Sequence, residues 1–232
     1  MKLKGFIISG AIVFGIGLIL WLIVILQPGF KYSDAKFPVE EVSNKYDEVL
    51  NVYYEGDADD IEIISTTAED EIITYNSEAM WYEVSYDETS KTVRINQKTK
   101  DFIFDISINN SRVGKPIVIK INGELNKLHL EVDAGDVTIK DLTVDKLELN
   151  IDAGKASFIN CVTNQAELEI DAGSLDYEGK VFDYMEVSID VGSIEIDLAQ
   201  KRSEFNINGV GSGSIRLILD TELGSKDVDF ID

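Results

Sequence analysis

One cysteine, one histidine and three prolines are all that 232 residues hold of those types. The lone Cys161 excludes an intrachain disulfide, so the fold must be held by packing. Its neighbours, "FINCV", are mostly apolar and suit a small buried hydrophobe better than a reactive thiol. The lone His129 excludes a histidine acid–base pair and a multi-histidine metal centre within one chain. Set between Leu128 and Leu130, it reads as a solvent-facing strand residue. Positive charge is scarce as well: 21 Lys and Arg stand against 43 Asp and Glu, a formal net charge of −22. Such a surface repels phosphate backbones, which excludes nucleic acid as a partner, and attracts divalent or polybasic species.

Acidic residues are missing altogether before residue 28, and what stands there instead is apolar. Residues 5–27, "GFIISGAIVFGIGLILWLIVILQ", run 23 positions without a charge. As a helix they reach about 34 Å, enough to cross a hydrocarbon core of about 30 Å. The apolar run is too long for a cleaved signal peptide, which predicts an uncleaved anchor. Lys2 and Lys4 place residues 1–4 in the cytoplasm, so the expectation is a single-pass cell-membrane protein with its acidic bulk extracellular. Ala11 and Gly15 form a small-xxx-small pair that offers a route to self-association. Residues 28–45, with two of the three prolines and mixed charges, read as a tether.

Beyond the tether the chain repeats itself. "DAGDVTI" at 133, "DAGKASF" at 152, "DAGSLDY" at 171 and "DVGSIEI" at 190 start 19 residues apart. In register, Val137, Ala156, Leu175 and Ile194 share one column; Ile139, Phe158, Tyr177 and Ile196 share another. Leu147, Ala166 and Met185, then Leu149, Leu168 and Val187, then Ile151, Ile170 and Ile189 form three more. Glu148, Glu167 and Glu186 lie between them on the polar side. Apolar residues at period two predict strands with one buried face. A constant repeat length with constant columns predicts a solenoid, each coil about 4.8 Å above the last. The fold class is therefore all-β: one single-domain β-solenoid of 19-residue coils, right-handed by the usual hand of parallel connections, preceded by one transmembrane helix. Residues 46–110 read as irregular β coils or a cap, 111–220 as regular repeats and 221–232 as a charged C-terminal cap.

The order of a membrane helix, "DIEII", "KTVRINQK" and then "KPIVIKINGELNKLHLEVDAGDVTIKDLTVDKLELNIDAG" resembles a bacterial adhesin-like family of membrane-anchored envelope proteins, a domain of unknown function. The likeness spans roughly residues 46–220. It implies a β-solenoid built from coils of the type "LELxxSSGDIxI", and some members are encoded beside envelope-stress regulators. This chain writes Asp-Ala-Gly or Asp-Val-Gly where the family usually has Ser-Gly or Thr-Gly. No catalytic residues carry over.

The Asp-x-Gly row admits two readings. In the first it is a corner: Gly135, Gly154, Gly173 and Gly192 supply a positive φ and each aspartate accepts a local backbone N–H. Carboxylates about 4.8 Å apart repel by about 0.9 kcal/mol in water before screening. A hydrogen bond to a charged acceptor contributes about 1.5–3 kcal/mol, so the row stands without an ion. In the second reading Asp133, Asp152, Asp171 and Asp190 form a calcium ladder, but calcium takes six to eight oxygens and only Asp136 adds another carboxylate nearby. The corner is the better fit, and no cofactor is expected.

Catalysis finds no footing in these residues. There is no Ser/His/Asp set, no Cys/His pair, and "GVGSGS" at 209–214 lacks the lysine and helix of a phosphate loop. Constant coil lengths leave no inserted loops to build the cleft of a polysaccharide lyase. The expected function is non-enzymatic: a membrane-anchored, adhesin-like envelope protein presenting an acidic solenoid face to an envelope or surface protein or a glycan. The alternative is an accessory of an envelope-stress sensor acting through its membrane helix, and a third reading is a calcium-dependent structural module.

Overall fold

Alternating burial runs the length of the chain, and strands follow it. The computed structural model describes residues 38–58, 60–77, 80–99 and 115–231, all within one compact unit, Phe37–Asp232. The strands are β1 (Glu40–Tyr46), β2 (Asn51–Ala58), β3 (Ile61–Ser65), β4 (Asp70–Asn76), β5 (Met80–Asp87), β6 (Thr92–Thr99), β7 (Ile117–Ile121), β8 (Glu124–Lys140), β9 (Thr143–Leu198), β10 (Phe205–Ile207) and β11 (Ile215–Phe230). All eleven belong to one sheet. The only helix among the described residues is a single 3₁₀ turn, Arg202–Glu204. None there is long and apolar enough to cross a membrane, and the anchor expected at 5–27 lies outside the described residues.

The 19-residue register is direct. Strand β8 pairs in parallel with β9, with Leu128 opposite Leu147, Leu130 opposite Leu149, Val132 opposite Ile151, Val137 opposite Ala156 and Ile139 opposite Phe158. All ten are buried. β9 continues through further coils whose inward residues, Leu168, Ile170, Leu175, Tyr177, Val187, Ile189, Ile194 and Ile196, are also buried. β11 closes the stack by pairing with β9, Leu217 opposite Met185 and Val228 opposite Ile196. Here the offset grows to 32 residues because 199–214, including the 3₁₀ turn and β10, are inserted between coils.

One strand can line several sides of a core only if its alternation changes phase. In β8 the inward residues are even-numbered from Leu128 to Val132 and odd-numbered from Val137. The change falls at the Asp-x-Gly phrase, where Gly135, Gly154 and Gly192 have φ of 154°, 157° and 153°. A second change follows Asp141 (φ 54°) and turns Leu142 and Val144 inward. Asn160 repeats that left-handed conformation one coil on (φ 53°), and its side-chain amide donates to the Asp141 carboxylate at 2.6 Å. Asn and Asp tolerate this region better than other non-glycine residues. A coil thus has a first arm before the Asp-x-Gly corner, a second arm after it and a third arm beyond Asp141. Two coils on, the third arm is capped at Val181, whose backbone N–H and C=O both pair with the buried Gln200 amide at 2.8 Å.

The stack does not follow the sequence. β2 and β3 form a regular coil in the same columns, with Val52 opposite Leu128, Tyr54 opposite Leu130, Ile61 opposite Val137 and Ile63 opposite Ile139. Its other neighbours come later in the chain: Val93 and Ile95 of β6 lie on Val52 and Tyr54, and Ile117 and Ile119 of β7 on Ile61 and Ile63. The stretch that breaks the period, 66–83, supplies β4 and the start of β5, which run antiparallel against β7 and β6. β1 lies antiparallel on β4. Alternation looks the same in parallel and antiparallel strands, so periodicity alone could not separate these from coils. Asp70, 2% exposed, ties the crossing together by accepting the Val49 N–H at 2.6 Å and the Asn122 N–H at 2.5 Å. Burial raises its pKa, with those two bonds pulling the other way.

Candidate functional site

The outward residues of the first arm line up across coils because the register places them so. Arg94 lies opposite Tyr53, Tyr53 opposite His129 and His129 opposite Glu148. Glu167 and Glu186 follow at 19-residue intervals, and Ile218 closes the column opposite Glu186. Beside it run Asn51, Lys127 and Lys146 on one flank and Glu55, Glu131 and Asn150 on the other. An open groove of about 500 Å³ lies over this face, lined by His129, Glu148, Glu167, Glu169, Glu186 and Ser188. A smaller one of about 150 Å³ continues it past His129 to Tyr53 and Arg94.

Charge is graded along the face. At one end the Arg94 guanidinium stacks 4.3 Å from the Tyr53 ring centre, and Lys127 lies 5.5 Å from the same ring. In the middle three cationic or protonatable groups converge on Glu148: Lys127 at 2.7 Å, Lys146 at 2.6 Å and His129 Nδ1 at 2.8 Å. Burial opposes the ionisation of Glu148, but hydrogen bonds from Lys127, Lys146 and His129 outweigh it and hold the pKa at about 2. The Glu148 contacts raise the Lys146 pKa in return. His129 Nε2 reaches Glu131 at 3.1 Å. At the other end Glu186 accepts the Tyr184 hydroxyl, and Arg216 lies 4.8 Å from the Tyr184 ring. Desolvation, and then Glu186, push the Tyr184 phenol up to about 12. The side chain of Glu167, between these ends, has no hydrogen bond or ion pair among the described residues.

The Glu148, Glu167 and Glu186 row was legible in sequence, but as a uniformly solvated face. Lys127, Lys146, Tyr53 and Arg94 were missed. Their signal is that they occupy the same outward columns, which shows only once the stacking order is known. His129 is less exposed than its flanking leucines suggested: its side chain is 29% exposed, with the Tyr53 ring centre 5.6 Å away.

The Asp-x-Gly row lies at the far end of the arm. Asp133, Asp152, Asp171 and Asp190 are all exposed, and none of their side chains makes a hydrogen bond or ion pair among the described residues. The carboxylates that accept stacked backbone N–H groups belong to Asp60, which takes the Asp136 N–H, and Asp136, which takes the Lys155 N–H, each at 3.1 Å. Glycine is required for a second reason besides φ. A methyl group on Gly173 would overlap the Gly154 carbonyl one coil below, and the same holds for Gly192 over Gly173 and Gly224 over Gly192. No group of three or more His, Cys, Asp or Glu among the described residues is arranged to hold a metal ion.

The buried nucleophile candidates are occupied. Burial raises the Cys161 thiol to about 11; it sits 2% exposed against the Ile139 carbonyl. The Tyr177 hydroxyl, its pKa raised by burial, donates to the Lys180 carbonyl at 3.0 Å and lies 3.1 Å from the Thr163 hydroxyl.

The family described as Toastrack DUF4097 matches residues 50–230. Among solved structures, a candidate cell adhesion protein from Clostridium sporogenes ATCC 15579 aligns at 14% identity with a TM-score of 0.42, covering 84% of this chain and 100% of that one. A candidate adhesin from Bacteroides fragilis NCTC 9343 aligns at 13% identity with a TM-score of 0.38, covering 88% of this chain and 100% of that one. No curated protein matches the sequence.

Proposed function

The chain belongs to the Toastrack DUF4097 family, and from that premise we propose that it is a membrane-anchored, non-enzymatic envelope protein that binds a partner through the outer face of its first arm. Residues 5–27 anchor it and the acidic β-solenoid is extracellular. The observation that carries the reading is the fixed gradient on that face. Glu148 is compensated by its neighbours, while the side chain of Glu167 beside it lines the groove with no hydrogen bond or ion pair among the described residues. Side chains held in place by stacking lose little freedom on association, which favours binding over chemistry.

The test uses cells carrying the full-length chain. Charge reversal at Glu167 and Glu169 to Lys is expected to abolish retention of purified envelope glycan or surface protein by those cells, with and without calcium. Unchanged retention would overturn the reading, as would cleavage of the glycan. Exchanging residues 5–27 for an unrelated anchor leaves a binding module active; loss of function on that exchange would favour the stress-sensor accessory instead.

A further inference from the structure

The C-terminal coil is closed along one part of its outer edge and open along the next. Over its first arm β10 lies in parallel on Ile215–Leu217. Just beyond, the Asn208 side chain takes the place of a strand, its Oδ1 accepting the Leu219 N–H at 2.8 Å and its Nδ2 donating to the Leu219 carbonyl at 3.2 Å. From there to Phe230, β11 pairs only with β9, and no described strand lies on its outer side. Val228 and Phe230 pack against the core beneath but remain half-buried.

Two outward columns run up to this open edge. In one, Asp227 lies opposite Glu195, with Asp176 one repeat earlier; in the other, Asp229 lies opposite Asp197, with Glu178 one repeat earlier. Of these six carboxylates, only Asp176 has an ion pair among the described residues, with Lys155. The edges of β1 and β5 differ. Beside β1, Glu41 and Lys45 are matched by Lys115 and Glu69, and β5 lies on β6 with Arg94 and Lys98.

The inward column adds a further restriction. Lys226 lies opposite Ile194, in a position that is apolar in the coil beneath. Its ammonium donates to the Leu219 carbonyl at 2.9 Å. Another apolar coil laid on this edge would bury that charge, so a copy of the chain's own repeat is a poor occupant. The same end of a second molecule would also meet acid with acid.

We propose that the outer edge of residues 222–230 accepts an extended segment of another protein, with basic residues on its outward side and apolar or acidic residues on its inward side. Backbone pairing with the open edge supplies affinity. Asp227 and Asp229, backed by Glu195 and Asp197, select the basic side chains, and Lys226 takes an acidic residue.

The experiment uses the full-length chain and a fluorescent peptide, Lys-Glu-Lys-Val-Lys-Val-Lys, against the same peptide with proline for its first valine. The alternating peptide is expected to bind at least tenfold more tightly and to slow amide hydrogen exchange within 222–230 at least fivefold. Asp227→Lys with Asp229→Lys should weaken it at least tenfold. Glu167→Lys with Glu186→Lys, on the first-arm face, should change it less than twofold, which separates this edge from the function proposed above. Equal binding of the two peptides would show adsorption to charge without strand pairing and overturn the proposal. So would absence of binding, or binding with no exchange protection. Concentration-dependent protection of 222–230 without peptide would assign the edge to a second copy and overturn it equally.

Discussion

Gly173 lies so close over the Gly154 carbonyl that the smallest side-chain addition must push two coils apart. Gly173→Ala is expected to lower stability by about 3 kcal/mol in urea denaturation, as overpacking of a rigid contact does. Asp171, two residues earlier, is exposed, and its side chain makes no hydrogen bond or ion pair among the described residues. Asp171→Ala should move stability by less than about 0.5 kcal/mol. If the aspartate proved the costlier loss, the corner would need another explanation. Glu148 gives a prediction in pH. Its folded pKa of about 2 lies below its ordinary 4.5, so its contribution is fully present above the unfolded value and is lost as pH falls toward 2. With partial solvent screening that loss is about 2 kcal/mol between pH 5 and pH 2. Glu148→Gln should flatten that part of the stability–pH curve, read from urea midpoints; an unaltered slope would show that its three partners contribute nothing.

Among the elements, the coils of β8 and β9 were legible because their columns repeat without insertion. Val52, Tyr54, Ile61 and Ile63 share those same columns, within a stretch whose sequence reads as irregular coils or a cap. The order of stacking was not. Columns record which residues face inward but not which coil touches which, so nothing in the pattern placed β6 and β7 outside β2 and β3. The third arm was hidden for another reason: its phase change rests on Asp141 and Asn160 in a left-handed conformation that neither residue type announces. Residues 221–232 read as a charged cap, yet the structure pairs Leu223–Phe230 with the coil beneath as strand. Lys226 breaks the pattern there, a charge standing in an inward column opposite Ile194. Lys226→Ile should restore the apolar column and promote end-to-end association, raising the weight-average mass in sedimentation at concentrations where the parent chain is monomeric. No change in mass would show that the outward carboxylates alone keep the end apart.

At the scale of the whole molecule the formal charge of −22 sets the conditions under which these parts hold together. Some carboxylates are matched, as Glu71 is by Lys120 at 2.6 Å and Glu62 by Lys140 at 2.7 Å. Many of the rest repel one another over a surface where like charges stack in columns. Raising ionic strength from about 0.01 M to about 0.15 M shortens the screening length from roughly 30 Å to 8 Å and relieves that repulsion. The melting temperature is expected to rise by about 2–4 °C, equivalent to roughly 1 kcal/mol for a chain of this size. A fall instead would mean that the matched pairs dominate.

The out-of-order stack also bears on how the chain takes shape while it is being made. The coil of β2 and β3 finds its neighbours only in segments that come later: Val93 and Ile117 on one side, Leu128 and Val137 on the other. A chain emerging amino end first leaves Val52 and Ile63 covered on one side at most until Lys140 has followed. Contacts of such sequence separation slow folding, and they leave the early strands uncovered in the meantime. The first coil to emerge thus waits for segments far along the chain, and any helper that attends synthesis would meet residues 49–65 before any other part of the core.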